Sequence, residues 1–218
     1  MRNPLISPRS RLYASRLNAA SLHLLRCMGQ TPSLYHDECA EAHYLLCGRD
    51  LSINRAVCLL LRHRYVDEAG VLVLAQMEGC FYSLDIGRDR TRARQWLTHR
   101  LEGKAPEPNL RDRIARYFKS RRKRRATPIF HKLYRNLSWI KHANPLGYEY
   151  YEYRDEDDER SDAHHYLLNS CGLLRETFAV LAGSFSREID SNTAARRALE
   201  HWQDVLDRWS DFCAGLRE

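Results

Sequence analysis

The sequence carries none of the signatures that mark the commonest hydrolases. It has no glycine-rich phosphate loop, no Gly-x-Ser-x-Gly elbow and no His-Glu-x-x-His pair. Nucleotide hydrolysis on a P-loop, serine hydrolysis and zinc proteolysis therefore have no support in the residues. Glycine and proline are scarce, at ten and seven in 218 residues; an all-β chain of this length needs more turns, so long helices are favoured. No apolar run reaches the roughly 18 residues of a membrane span, and Val57-Cys58-Leu59-Leu60-Leu61 is cut by Arg62. The opening residues lack a continuous hydrophobic segment before a small-residue cleavage site, which argues against a secretory signal and for the cytoplasm. Seven cysteines, an odd number with no Cys-x-x-Cys pair, sit mostly within apolar patterns, so reduced, buried thiols are expected.

What is present is ordinary globular composition, 44% hydrophobic, with a net charge of +7. One domain is the prior at this length. Apolar spacing and cap residues predict helices over 10–28, from a Ser33 cap through Leu46 with Cys47-Gly48 as its end, and from about Leu51 under an Asp50 or Ser52 cap. A central buried helix is expected over 65–84, and an amphipathic one over 89–101. Two long helices follow, from Ser161 or Asp162 to Glu188 and from Asn192 or Thr193 to Leu216. The expected fold is thus all-α, a single-domain bundle of seven or eight helices spanning 1–218, with 1–9 as a flexible arm.

The chemistry concentrates between these helices. Nine cations fall in the fifteen residues 111–125. Among them Arg116, Lys119, Arg121, Arg122, Lys123, Arg124 and Arg125 stand beside Tyr117 and Phe118, an interleaving suited to a phosphate backbone as well as to a solvated face. The stretch 130–145 then reads as a helix ended by Asn144-Pro145. Leu133, Leu137 and Ile140 form its apolar stripe, while Arg135, Ser138 and His142 share a neighbouring face. Arg135 and His142 are seven residues apart, about 10 Å of rise, so both can address one ligand. Glu78, inside the apolar helix, needs a partner; it either locks two helices through an arginine or orients Arg135. Equally, Arg135 can pair inward with Glu78 or Asp85 while His142 caps its helix. The acidic, tyrosine-rich residues 148–159 read as an exposed loop whose charge opposes the basic run. His36, Cys39, His43 and Cys47 recur at helical spacing, yet eleven residues of helix span about 16 Å, so at most His43 and Cys47 could share a metal ion. His164-His165 reads as surface. No metal or cofactor is expected.

Arg135-Asn136 followed after five residues by His142, with the acidic residue Glu78 in a preceding hydrophobic helix, resembles the R-x(4–6)-H signature of HEPN domains, near a poorly characterised bacterial HEPN-like group. The resemblance covers about 55–190. It implies a metal-independent endoribonuclease, a toxin or phage-defence effector, acting on cellular RNA as a homodimer. An antitoxin or defence-system protein would be a further partner. In that reading Arg135 and His142 are catalytic and Asn136, Ser138 and Glu78 support them. The resemblance admits an alternative, a non-catalytic interaction module that binds a protein or nucleic acid. A third reading is a small-molecule or nucleotide-binding sensor whose arginine-rich surface binds a phosphate ligand.

Overall fold

The computed structural model describes residues 4–31, 36–102 and 155–214. Seven helices occur among them and no strand: α1 (Pro8–Gly29), α2 (Glu38–Arg62), α3 (Val66–Ile86), α4 (Arg90–Glu102), α5 (Glu156–Ser184), α6 (Ser186–Ser191) and α7 (Thr193–Ala214). The all-α, single-domain expectation holds.

The helix ends follow local chemistry. Ser7 accepts from the Ser10 amide with Pro8 at the first position of α1, where a missing N–H costs nothing. Asp37 accepts from the amides of Cys39 and Ala40 at the start of α2, Asp89 from those of Thr91 and Arg92 before α4, and Asn192 from those of Ala194 and Ala195 at α7. Each satisfies amide groups that the first helical turn leaves without a partner.

Three expectations are corrected. Residues 4–9, the described part of the expected arm, are not simply an arm: Leu5 and Ile6 are buried in the core and α1 begins at Pro8. The helices placed on either side of Gly48 are one, α2, which runs unbroken through Gly48 and Asp50. Glycine there ends nothing because the Gly48 carbonyl stays inside the ladder, with the Ser52 hydroxyl donating to it as well. The acidic residues 156–159 are the first turn of α5, and Asp155 caps it. Four carboxylates there complement the helix dipole, and Glu159 pairs with Arg64 in the α2–α3 turn.

Helices α2, α3 and α5 pack mutually as the central layer. α3 is apolar enough in length and composition to cross a membrane, but Val66, Val73, Met77 and Phe81 are buried within the bundle. α1 and α7 pair on one flank, where Phe178 of α5 stacks on Trp202 at 5.8 Å and the Trp202 indole donates to Ser21. Burying each such aromatic contributes on the order of 2 kcal/mol. α4 lies on the opposite side, against α2 and α3, over a small cluster of Cys39, Ala42, Leu46, Ile86 and Ala93. Its arginines reach back to acids at the helix starts and ends, Arg90 to Asp37, Arg94 to Glu38 and Arg92 to Asp85. Five cysteines, at 27, 39, 47, 80 and 171, are buried free thiols and Cys58 is half-buried.

Candidate functional site

Arg135, Asn136, Ser138, His142 and the cations from Arg116 to Arg125 lie outside the described residues. Of the expected site only Glu78 is described, half-buried on α3.

Of the His/Cys series, His36 is exposed ahead of α2, while Cys39, His43 and Cys47 are buried on it. His43 is fully buried; its Nε2–H donates to the Gly87 carbonyl at 2.7 Å, which fixes the tautomer, and its Nδ1 accepts from the Ser83 hydroxyl at 3.0 Å. Burial lowers its pKa, so it stays neutral. Both ring nitrogens are occupied, and Cys47 donates towards the Thr177 carbonyl, so the pair offers no ready metal site. Gly87 can present its carbonyl this way because it turns at φ 48, a region that favours glycine.

Two polar constellations emerge instead. The first is a buried seam where α2, α3 and α5 meet. Asp50, Asn54, Gln76, Ser170 and Thr177 are all fully buried. The Thr177 hydroxyl donates to Asp50 Oδ2 at 2.7 Å, Asn54 donates to Ser170 Oγ at 2.7 Å, and Ser170 donates to Gln76 Oε1. The Gln76 amide then donates to the Ser170 carbonyl. Asp50 Oδ1 is within ion-pair range of Arg49 Nη1 at 3.5 Å yet accepts no hydrogen bond. Burial outweighs the Thr177 bond and the Arg49 charge and raises the Asp50 pKa to about 7. The close approach of Arg49 and Asp50 to α3 depends on Gly79, since a Cβ there would sit 2.3 Å from Arg49 Nη1 and 2.4 Å from Asp50 Oδ1.

The second constellation is an open groove of about 550 Å³ between α1 and α2. The two helices run antiparallel, with Asn18 opposite Cys58. Arg11, Ser15 and Asn18 recur at helical spacing along α1, and Arg55, Cys58 or Leu59, and Arg62 along α2, so each set forms one stripe. All line the groove, and no carboxylate among the described residues does. Arg11, Arg55 and Arg62 are exposed and make no ion pair with another described residue. The signal was present in the sequence and differs from a cation run: the first acidic residue of the whole chain is Asp37. α1 thus carries arginines with nothing of its own to neutralise them.

A polar chain joins the groove to the seam. The Asn18 amide donates to Cys58 Sγ at 3.8 Å, the Cys58 thiol to Asn54 Oδ1 at 3.9 Å, and Asn54 to Ser170 and onward to Gln76. Every donor points inward. At the head of the chain, Asn18 Oδ1 is shielded from solvent and accepts from nothing. Burial raises the Cys58 pKa to about 11, so its sulfur remains a thiol and keeps its proton for Asn54.

No protein-family model, no curated protein and no solved structure matches this chain.

Proposed function

We propose that the protein binds RNA and cleaves it without a metal ion, in the manner of HEPN ribonucleases. The observation that carries this reading is in the sequence: Arg135 and His142 seven residues apart, soon after nine cations in fifteen residues. An all-α bundle is the fold that the reading requires. RNA brings its own nucleophile, so little protein chemistry is needed. The 2′-oxygen attacks phosphorus, the bond to the 5′-oxygen breaks, and His142 moves the proton from the first oxygen to the second. Arg135 neutralises the charge that builds on the phosphoryl oxygens. The products are a 2′,3′-cyclic phosphate and a 5′-hydroxyl. The partners in this reading are RNA, a second copy of the chain and an antitoxin or defence-system protein, in the cytoplasm.

The test is incubation of purified protein with cellular RNA in excess chelator, with the new ends characterised chemically. Cyclic-phosphate ends are expected, and Arg135→Ala and His142→Ala should each lower the rate by about 100-fold or more. Cleavage that persists in both variants removes the assignment. The second reading, a binding module without catalysis, is favoured by the carboxylate-free groove, which offers cations and no general base. Retention of intact RNA by the wild-type protein, with no products over hours, would select it.

A further inference from the structure

The geometry points to the α1–α2 groove as a binding site for a free nucleoside monophosphate, its phosphate on Arg11 and Arg62 and its base on Asn18. This goes beyond RNA cleavage and uses none of the residues assigned to it.

Three properties of the groove each select a part of that ligand. The charge selects an anion. Arg62 lies one turn beyond Cys58 on α2, and Arg11 two turns before Asn18 on the antiparallel α1, so both guanidiniums stand at the same end of the groove. Arginine binds phosphate through paired N–H groups, and among the described residues no lining carboxylate competes. Arg55 stands beyond Cys58 in the other direction, where it can meet the far edge of the ligand. The apolar surface selects a flat body. Leu12 and Leu59 are 50% and 56% exposed, unusually so for leucine, and face the groove from its two walls. Ile6 and Leu167 are buried beneath it. A base held between the leucines would cover apolar area that the protein otherwise leaves in water.

The amide selects a hydrogen-bond donor. Asn18 Oδ1 heads a chain in which every group donates inward, and such chains strengthen when a further donor is added at the head. Asn18 lines the groove with its Oδ1 turned away from solvent, and an exocyclic amine or ring N–H of a base supplies that donor once the side chain turns to meet it. The hydrocarbon of a fatty acid, whose carboxylate would suit the arginines as well, leaves the buried oxygen unsatisfied. The size agrees, since small-molecule sites run from about 300 to 1,000 Å³.

The experiment is calorimetric titration of the full-length protein with AMP, GMP, CMP and UMP in turn. Inorganic phosphate, adenosine, dodecanoate and a ten-nucleotide single-stranded RNA are run in parallel. At least one monophosphate should bind, with phosphate and nucleoside each at least tenfold weaker. Arg11→Ala/Arg62→Ala should weaken that monophosphate at least tenfold, and Asn18→Leu about tenfold. Arg16→Ala, on the same helix but outside the groove, should change its Kd less than twofold. Thermal melting of each variant separates lost binding from lost fold, and Arg11 and Arg62 are exposed, so both substitutions should leave the melt unchanged. The proposal is overturned if no monophosphate binds, if the groove variants bind as wild type, if dodecanoate binds more tightly than every monophosphate, or if only RNA binds. Loss of this site would leave RNA cleavage untouched, because the cleavage test reads Arg135 and His142 alone.

Discussion

The seam and the groove each hold one buried oxygen that accepts no hydrogen bond, Asp50 Oδ1 and Asn18 Oδ1. Asp50 lies midway along α2 and Asn18 on α1, which packs against it, and they differ in what can relieve them. A carboxylate can take up a proton, and Asp50, with Thr177 on its other oxygen, does so near neutrality. An amide has no such recourse at any ordinary pH; it needs a donor from outside. The first orphan is therefore closed by the protein's own acid–base chemistry and belongs to the fold. The second stays without a donor, on a residue that lines a groove with three arginines.

The largest expected effect tests the closed case. The folded Asp50 pKa of about 7 lies above the roughly 3.9 of an unfolded aspartate. The folded state thus binds the extra proton, and this residue's contribution is fully present below about pH 4. It is lost progressively as pH rises to about 7, by on the order of 4 kcal/mol in total. Asp37, with its pKa lowered by amides and Arg90 against its burial, acts in the opposite sense as pH falls, so the contrast must be taken against a variant. Asp50→Asn keeps the shape and an acceptor for Thr177 but cannot titrate. Urea unfolding from pH 4 to 8 should show wild type losing ground to Asp50→Asn across that window. Parallel curves would show that Asp50 is not the buried acid of the seam.

Gly79→Ala should come next, at about 2 kcal/mol. The added methyl meets the Arg49 guanidinium and the buried Asp50 carboxylate together. Arg49 is partly exposed and can swing away; Asp50 cannot. Without Arg49 the charged carboxylate loses its one nearby cation, so the variant should lose more stability at pH 8 than at pH 5, as read from urea midpoints. An equal loss at both values would mean that the clash is steric alone.

The sequence disclosed these elements unevenly, for reasons that lie in particular residues. α3 and α4 were legible from their apolar residues alone, since α3 has no side-chain cap, and at α7 the apolar period and the Asn192 cap agree. Gly48 misled because glycine after an apolar run is the commonest helix stop, and only tertiary packing shows that α2 continues. Asp50 misled for a related reason. Before Leu51 it has the form of a cap, whereas its actual partner, Thr177, is 127 residues away. The 155–159 acids were read as a loop by their charge, although the same charge is what a helix start favours. Of the groove only the acid-free start of the chain was visible in the sequence, because its two stripes belong to different helices and become one surface only when Asn18 meets Cys58. A cation run such as 111–125 is conspicuous in sequence; three arginines at 11, 55 and 62 are not.

Asn18→Leu gives the smallest effect on stability and the sharpest test of the comparison. In the free protein Asn18 contributes one weak bond to a sulfur and leaves its oxygen without a donor. Removing both ends for an apolar group of similar size should change stability by less than about 1 kcal/mol, and in the stabilising direction. Thermal melting in the absence of nucleotide measures this directly. A loss of 2 kcal/mol or more would mean that Asn18 anchors Cys58 and Asn54 for folding, as Thr177 anchors Asp50, and the two orphans would then be alike. A gain, combined with weakened nucleotide binding, separates them: an amide retained at a cost to the free fold is retained for a ligand.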